Sequence, residues 1–200
     1  MEIQAPAGAH VTATRLKRPA CATLIKNIPA YTEAIRLLVA YGSVDVLMRL
    51  YRLDTRLSDQ DPEGSMAIRD AVANALQTTQ MEIETAIQYL QLDAAGNGIE
   101  LAEPSPSMAV TKIRMEIRSP LGFLYLHLVE HLNLLLANLQ SAEQAGFIDK
   151  KLLRERTSFW RRQVWNTSHT CIETVDAYAT RMGMFCAERK HTWVSRRYSK

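Results

Sequence analysis

The segment VTKIRMEIRSP, residues 110–120, alternates charged with apolar residues. The charged positions are Lys112, Arg114, Glu116 and Arg118. A two-residue period of this kind is typical of a β-strand with one face in solvent. In the major groove of DNA, Lys and Arg can donate to guanine O6 and N7, and a carboxylate can accept from cytosine N4. The segment therefore predicts a strand whose outer face could bind the edges of bases.

A second pattern with possible chemistry is HLVEH, His127 to His131, which matches the H-x-x-E-H sequence of inverted zinc peptidases. Two histidines four residues apart share a helix face, and a catalytic zinc needs one more protein ligand and a water. The candidate third ligands, Glu173 and Glu188, have no supporting context. A five-residue match is frequent by chance, so we interpret the histidines as a polar stripe on a packed helix. We expect no enzyme activity, catalytic residue, metal or cofactor.

Helical elements surround the strand and must position it. Ser119 and Pro120 form a helix start directly after it, with Ser at the N-cap and Pro at the first helical position. The helix that follows, to about Gln144, is apolar on most sides, which predicts a central place in the core. Asp149 caps another helix that begins KKLLRER. Helical spacing also fills most of residues 31–93, upstream of the proline-containing segment EPSPS.

Composition favours a folded soluble protein, since 47% of the 200 residues are hydrophobic. The three cysteines, Cys21, Cys171 and Cys186, have no metal-like spacing and cannot complete a disulfide set, which fits a reducing compartment such as the cytoplasm. The first residues lack the pattern of a signal peptide. The apolar stretch 121–139 has about the length of a membrane span, but its His, Glu and Asn side chains favour a buried helix.

Charge divides the chain at the predicted strand. Residues 1–110 hold 9 Lys or Arg against 13 Asp or Glu, a net charge of −4. Residues 111–200 hold 15 against 8, a net charge of +7. A basic half of this kind indicates a phosphate-bearing or acidic partner, although a solvated basic face without a ligand is the simpler alternative.

The predicted strand needs a partner, because a single strand leaves its backbone hydrogen-bonding groups unpaired. One candidate is the same strand of a second protomer, in antiparallel pairing about a two-fold axis. This pairing would place three apolar side chains of each chain on the helices: Ile113, Met115 and Ile117. The other candidate is the segment Val11 to Lys17 inside the same subunit, in which case the outer charges are simply solvated.

The order of strand, Ser-Pro helix start, long apolar helix and capped basic helix resembles the ribbon-helix-helix DNA-binding fold. The C-terminal half, with LHLVEHLNLLLANLQSAEQAGFIDKKLLRERTSFWRRQ, also resembles the AcaB-type transcriptional regulators of conjugative plasmids and integrating conjugative elements. The resemblance implies a mainly α, ribbon-helix-helix-like dimer with one short strand per protomer, elaborated with an N-terminal helical domain. The chain departs from the minimal fold because no helix stop follows Pro120 for several turns. Either the fold is elaborated, or the turn lies near Ser141.

The resemblance also implies the roles of individual residues. In the ribbon-helix-helix fold the outward ribbon positions read bases, and the start of the second helix holds a phosphate. The base-reading residues would be Lys112, Arg114 and Glu116. The phosphate-binding residues would be Arg118, Lys150 and Lys151, with backbone amides at the helix start.

These observations predict five segments: an arm or short strand (1–30), a helical domain (31–102), a linker (103–110), a ribbon-helix-helix-like DNA-binding region (111–190) and a basic tail (191–200). The expected function is a homodimeric, sequence-specific regulator of a bacterial mobile element. Its partners would be double-stranded DNA, its own copy and, through the N-terminal helices, RNA polymerase, with no membrane contact. The alternative is a helical protein-protein interaction component of a conjugation apparatus. The operator, any effector, and activation or repression are left open.

Overall fold

The computed structural model describes residues 24–101, 104 and 111–184, which form a mainly helical fold with one small sheet. The elements are β1 (Leu24–Ala30), α1 (Glu33–Leu38), α2 (Val44–Arg52), α3 (Ser58–Gln60), α4 (Pro62–Gly96), β2 (Thr111–Ile117), α5 (Pro120–Gln144) and α6 (Lys150–Arg181). Two π-helical turns, Val39–Ser43 and Leu53–Leu57, connect α1 to α2 and α2 to α3. The predicted mainly α class is confirmed.

Helix α5 is the centre of the core. It is apolar on most sides, and α4, α6 and α2 pack around it. Among the described residues it is the one helix whose length and composition would allow a membrane span. Its most apolar 18-residue window is 61% buried inside the fold, as is typical of the core helix of a soluble protein. One hydrophobic core includes residues from α4, such as Ile83, and from α5, such as Leu132. This core therefore spans two of the segments that the sequence analysis separates.

The predicted starts of α5 and α6 are confirmed at the level of hydrogen bonds. Ser119 Oγ accepts from the backbone N–H of Gly122 at 3.1 Å, and Asp149 Oδ1 accepts from that of Leu152 at 2.7 Å. Helix α5 runs the full length to Gln144, so the proposed turn near Ser141 does not occur. Helix α6 ends at Arg181, before the left-handed Gly183 with a φ of 68°.

The two strands form an antiparallel sheet within one chain. Ile28 lies opposite Ile113, and Asn27 lies opposite Arg114. The expectation of one strand per protomer is therefore wrong, because β1 supplies an in-chain partner for β2. Strand β1, Leu24–Ala30, is a different segment from the in-chain candidate Val11 to Lys17. Residues 11–17, the predicted tail and most of the predicted linker lie outside the described residues.

Candidate nucleic-acid interface

The sheet has one face on the helices and one in solvent. On β2, Met115 and Ile117 are buried, whereas Lys112, Arg114 and Glu116 are exposed. The predicted alternation of faces is confirmed. We call the solvent side the outer face of the sheet; the three exposed β2 side chains form a row along it.

Ion pairs on the outer face link Glu116 to its two arginine neighbours. Glu116 Oε1 lies 3.7 Å from Arg114 Nη2, and Glu116 Oε2 lies 3.2 Å from Arg118 Nη2. All three side chains are about half exposed, so water screens these pairs and they hold the arginines only weakly. Lys112 forms no ion pair within the described part of the chain. The four side chains carry a net charge of +2 and can reorient toward an anionic ligand.

A second row on the outer face comes from β1, which the sequence analysis missed. Its members are Ile25, Asn27 and Pro29. The amide side chain of Asn27 is exposed and has no hydrogen-bond partner among residues 24–101, 104 and 111–184. The outer face thus combines a charged row on β2 with an uncharged row on β1.

Side chains of α5 fix β1 to the core. Lys26 Nζ lies 2.6 Å from Glu130 Oε1. Asn133, which is 3% exposed, donates from Nδ2 to the carbonyl oxygen of Pro29 and accepts at Oδ1 from the N–H of Tyr31 at 3.1 Å. Because Asn133 bonds the backbone on both sides of Ala30, it determines where the strand ends.

The other strand is fixed through the start of α5. A Cβ atom on Gly122 would lie 3.1 Å from Ile117 Cγ2 and 3.3 Å from Leu47 Cδ2, so any larger residue would require these side chains to shift by a few tenths of an ångström. Asp54 Oδ2 accepts from the N–H of Leu121 at 3.2 Å, and Asp54 Oδ1 lies 2.9 Å from Arg69 Nε. The first turn of α5 therefore has a buried carboxylate partner from the second π-helical turn.

A groove of about 510 Å³ runs beside the second edge of β2. Val44, Met48 and Tyr51 form its helical wall, and they are 62%, 51% and 37% exposed. Within the described residues β2 has one strand neighbour, β1, so this second edge carries no paired strand. We call the site the edge groove. Its helical wall was not predicted, because exposed apolar residues on an amphipathic helix look like core positions in sequence.

The predicted phosphate residues on α6 are far from the sheet. Helix α5 has 25 residues, so at 1.5 Å per residue it separates its start at β2 from its end near Lys150 by about 37 Å. Arg118 therefore lies beside the outer face, whereas Lys150 and Lys151 lie at the opposite end of α5. They belong to a distal cluster of six basic residues: Lys150, Lys151, Arg154, Arg156, Arg161 and Arg162. None of the six forms an ion pair with another described residue.

The HLVEH histidines contact carboxylates of two helices and do not converge on one point. His131 Nε2 lies 3.0 Å from Glu84 Oε1, and His127 Nδ1 lies 3.5 Å from Glu130 Oε2. Residue Glu188 lies outside the described residues, and Glu173 instead pairs with His169. In the described part of the chain, no group of three or more His, Cys, Asp or Glu side chains is placed to hold a metal ion.

Cys171 is a buried residue of α6. Burial raises the pKa of its thiol to about 11, so the thiolate form required for nucleophilic chemistry is scarce at neutral pH. Cys171 therefore acts as a small apolar residue of the core, as expected from the sequence.

Comparison with known proteins identifies a fold similarity. No protein-family model matches the chain, and no curated protein sequence matches it. Among solved structures, the crystal structure of selenomethionine-containing AcaB from uropathogenic E. coli is similar, with a TM-score of 0.70 at 15% sequence identity. The match covers 81% of this chain and 84% of that chain. The predicted AcaB-like fold is confirmed; the ribbon-helix-helix assignment and the roles of individual residues stay predictions.

Proposed function

We propose that this chain is a DNA-binding transcriptional regulator that contacts the major groove with the outer face of its sheet. The observation that carries the proposal is the exposed row on β2, in which Lys112, Arg114 and Glu116 share one face on a rigidly held strand. The fold similarity to AcaB supports it. Lys112 and Arg114 would donate to guanine, and Glu116 would accept from cytosine. Arg118, at the end of the strand, would contact a phosphate.

The active species in this proposal is a homodimer in which the second edge of β2 pairs with its own copy across a two-fold axis. A register centred on Arg114 places Lys112 of each chain opposite Glu116 of the other, and these two attractive pairs flank the like-charged pair of Arg114 side chains at the two-fold axis, where bound DNA would supply the opposite charge. The partner's inner side chains would then cover Val44, Met48 and Tyr51 of the edge groove, which are otherwise exposed. The two central β2 strands would form the ribbon that enters the groove.

Selection of binding sites from random duplex DNA tests the proposed function. A regulator of this kind should enrich a two-fold symmetric sequence that contains G·C pairs, because the base-reading residues recognise guanine and cytosine. Each basic side chain that neutralises a phosphate should add about −0.9 to the slope of log affinity against log salt concentration. Binding without any sequence preference over competitor DNA would contradict the proposal.

The distal cluster favours a second candidate function, a protein-protein interaction component. Residues 150–163 contain six basic residues and one acidic residue, with Phe159 49% exposed among them. Arginine and aromatic side chains together are typical of protein interfaces. In this alternative the cluster binds an acidic protein. RNA polymerase is a possible partner in both cases, and both place the chain in the cytoplasm.

Lys150 and Lys151 discriminate between the two functions. They reach the duplex bound by the sheet only if α5 lies along its axis, because about 37 Å corresponds to roughly one turn of DNA. We expect Lys150→Ala/Lys151→Ala to leave DNA affinity nearly unchanged if the cluster binds protein. A reduction of the salt slope by about 1.8 per chain in that variant would instead assign both residues to phosphates.

A further inference from the structure

We propose that Asn27, on β1, anchors the protein to the phosphate backbone at the wall of the major groove. The inference rests on the proposed function and extends it to β1. This strand is absent from the predicted dimer, in which each protomer contributes one strand. Three features of the described structure support it: the position of β1 in the sheet, the free side-chain amide of Asn27, and the rigid attachment of the strand.

The position follows from the spacing of strands. Neighbouring strands lie about 4.8 Å apart, so in a dimer paired through β2 each β1 strand lies about 7 Å from the two-fold axis. The major groove is about 12 Å wide, which leaves about 6 Å on each side of that axis. Arg114 would therefore face base edges, whereas Asn27, directly opposite it in the register, would face the sugar-phosphate wall.

The chemistry of the β1 row singles out Asn27. Its neighbours on the outer face, Ile25 and Pro29, have no polar side-chain atom. The Asn27 amide can donate two hydrogen bonds, and it has no partner among the described residues. Asparagine is a frequent donor to phosphate oxygens. The Asn133 bonds at Pro29 and Tyr31, together with the Lys26–Glu130 pair, hold the backbone of β1 on the core and so keep Asn27 on the outer face.

Neutral and charged replacements of Asn27 test the inference, with DNA affinity measured by fluorescence anisotropy on the selected site at several salt concentrations. Asn27→Ala should weaken binding by about threefold to tenfold per chain on every sequence, since it removes one hydrogen bond to a charged oxygen from each protomer. It should leave the salt slope unchanged, because a neutral amide releases no counterion. Asn27→Lys should steepen that slope by about 0.9 per chain. The matched control is Asn74, an exposed asparagine on α4, whose Ala and Lys variants should change neither quantity.

Two results would overturn the inference while sparing the proposed function. Specific binding by the wild-type protein, combined with unchanged affinity and salt slope in both Asn27 variants, would show that β1 does not contact DNA. A change in preference at a single base pair in Asn27→Ala would make Asn27 a base reader. A wild-type protein without sequence preference would instead remove the proposed function, and the role of Asn27 with it.

Discussion

Asn133 donates a hydrogen bond from its side-chain amide to the carbonyl oxygen of Pro29, across 104 positions of sequence. Asn133 Oδ1 also accepts from the Tyr31 N–H, so a core residue of α5 holds the end of β1 through two hydrogen bonds. The sheet is thus attached to the helical core, so a change inside α5 should alter the outer face of the sheet, which we propose contacts DNA.

Replacing Asn133 should therefore affect both stability and binding. Asn133→Ala leaves the Pro29 carbonyl and the Tyr31 N–H without their partner, and unpaired groups of this kind cost about 1–3 kcal/mol. Urea unfolding should show that loss, and DNA affinity should fall although Asn133 is buried. Asn74→Ala, at an exposed position, should change stability by less than about 0.5 kcal/mol. An equal effect of the two changes would show that Asn133 does not support β1.

The Asp54 carboxylate should stabilise the first turn of α5. Its side chain is 4% exposed, and it contacts both the Leu121 N–H and the Arg69 side chain. Asp54→Ala removes both contacts and should lower the free energy of unfolding by about 1–3 kcal/mol. Asp54→Asn keeps an acceptor for Leu121 but loses the charge, so it should be less harmful. If Asp54→Asn and Asp54→Ala lower the free energy of unfolding equally, the ion pair with Arg69 is the main stabilising contribution of Asp54.

Acid stability should depend on the pair of Asp61 and Tyr178. The Gly64 N–H and the Tyr178 hydroxyl both donate to Asp61 and hold its pKa below the ordinary value. Burial, together with Asp61, raises the pKa of Tyr178 to about 12, so its hydroxyl remains a donor at neutral pH. Because the folded-state pKa of Asp61 is lowered, its stabilisation is present above the unfolded value of about 3.9 and is lost as the pH falls through the folded value.

Melting temperature measured from pH 2 to pH 7 checks this dependence. Asp61→Asn should melt below the wild type at pH 6, and the difference should shrink as the pH falls below about 4. Tyr178→Phe keeps the Gly64 bond and should show a smaller difference of the same sign. A difference between wild type and Asp61→Asn that is constant over this range would show that the charge of Asp61 is not involved.

The edge groove should carry the contact between two copies. Met48→Glu places a charge on its helical wall at a position that is 51% exposed, so the monomer fold should be preserved. Sedimentation should give a dimer for the wild type and a monomer for the variant at micromolar concentration. A wild-type monomer would contradict the proposed homodimer, and a dimeric variant would place the contact on another surface. Met81→Glu is the matched control, because Met81 is a 58% exposed methionine on α4, away from the edge groove. This variant should remain a dimer.

Local signals in the sequence predicted much of the fold. The period of two in β2, the Ser119 and Asp149 caps and the broad apolar surface of α5 each depend on residues close together in the chain. These signals predicted strand β2, both ends of α5 and the start of α6. The two faces of β2 followed from the same alternation.

Strand β1 was missed because its sequence, LIKNIPA, gives conflicting signals. Pro29 cannot donate to a ladder and disfavours a central strand, but it is tolerated here because β1 lies at the edge of the sheet. The partner of β1 is more than 80 positions away, a separation that no local pattern reports. Local patterns also do not report how helices pack against each other. The edge groove and the distance between Arg118 and Lys150 depend on that packing and were therefore not predicted.

The proposed DNA contact of the outer face is tested most directly by the DNA affinity of Lys112→Ala/Arg114→Ala on the selected site. Both side chains are exposed, so the variant should retain the wild-type melting temperature and lose sequence-specific binding. The matched control, Arg154→Ala/Arg156→Ala, removes the same charge from two exposed positions near the start of α6 and should keep specific binding. Undiminished specific binding by the Lys112/Arg114 variant would contradict the assignment of the outer face as the DNA-contacting surface.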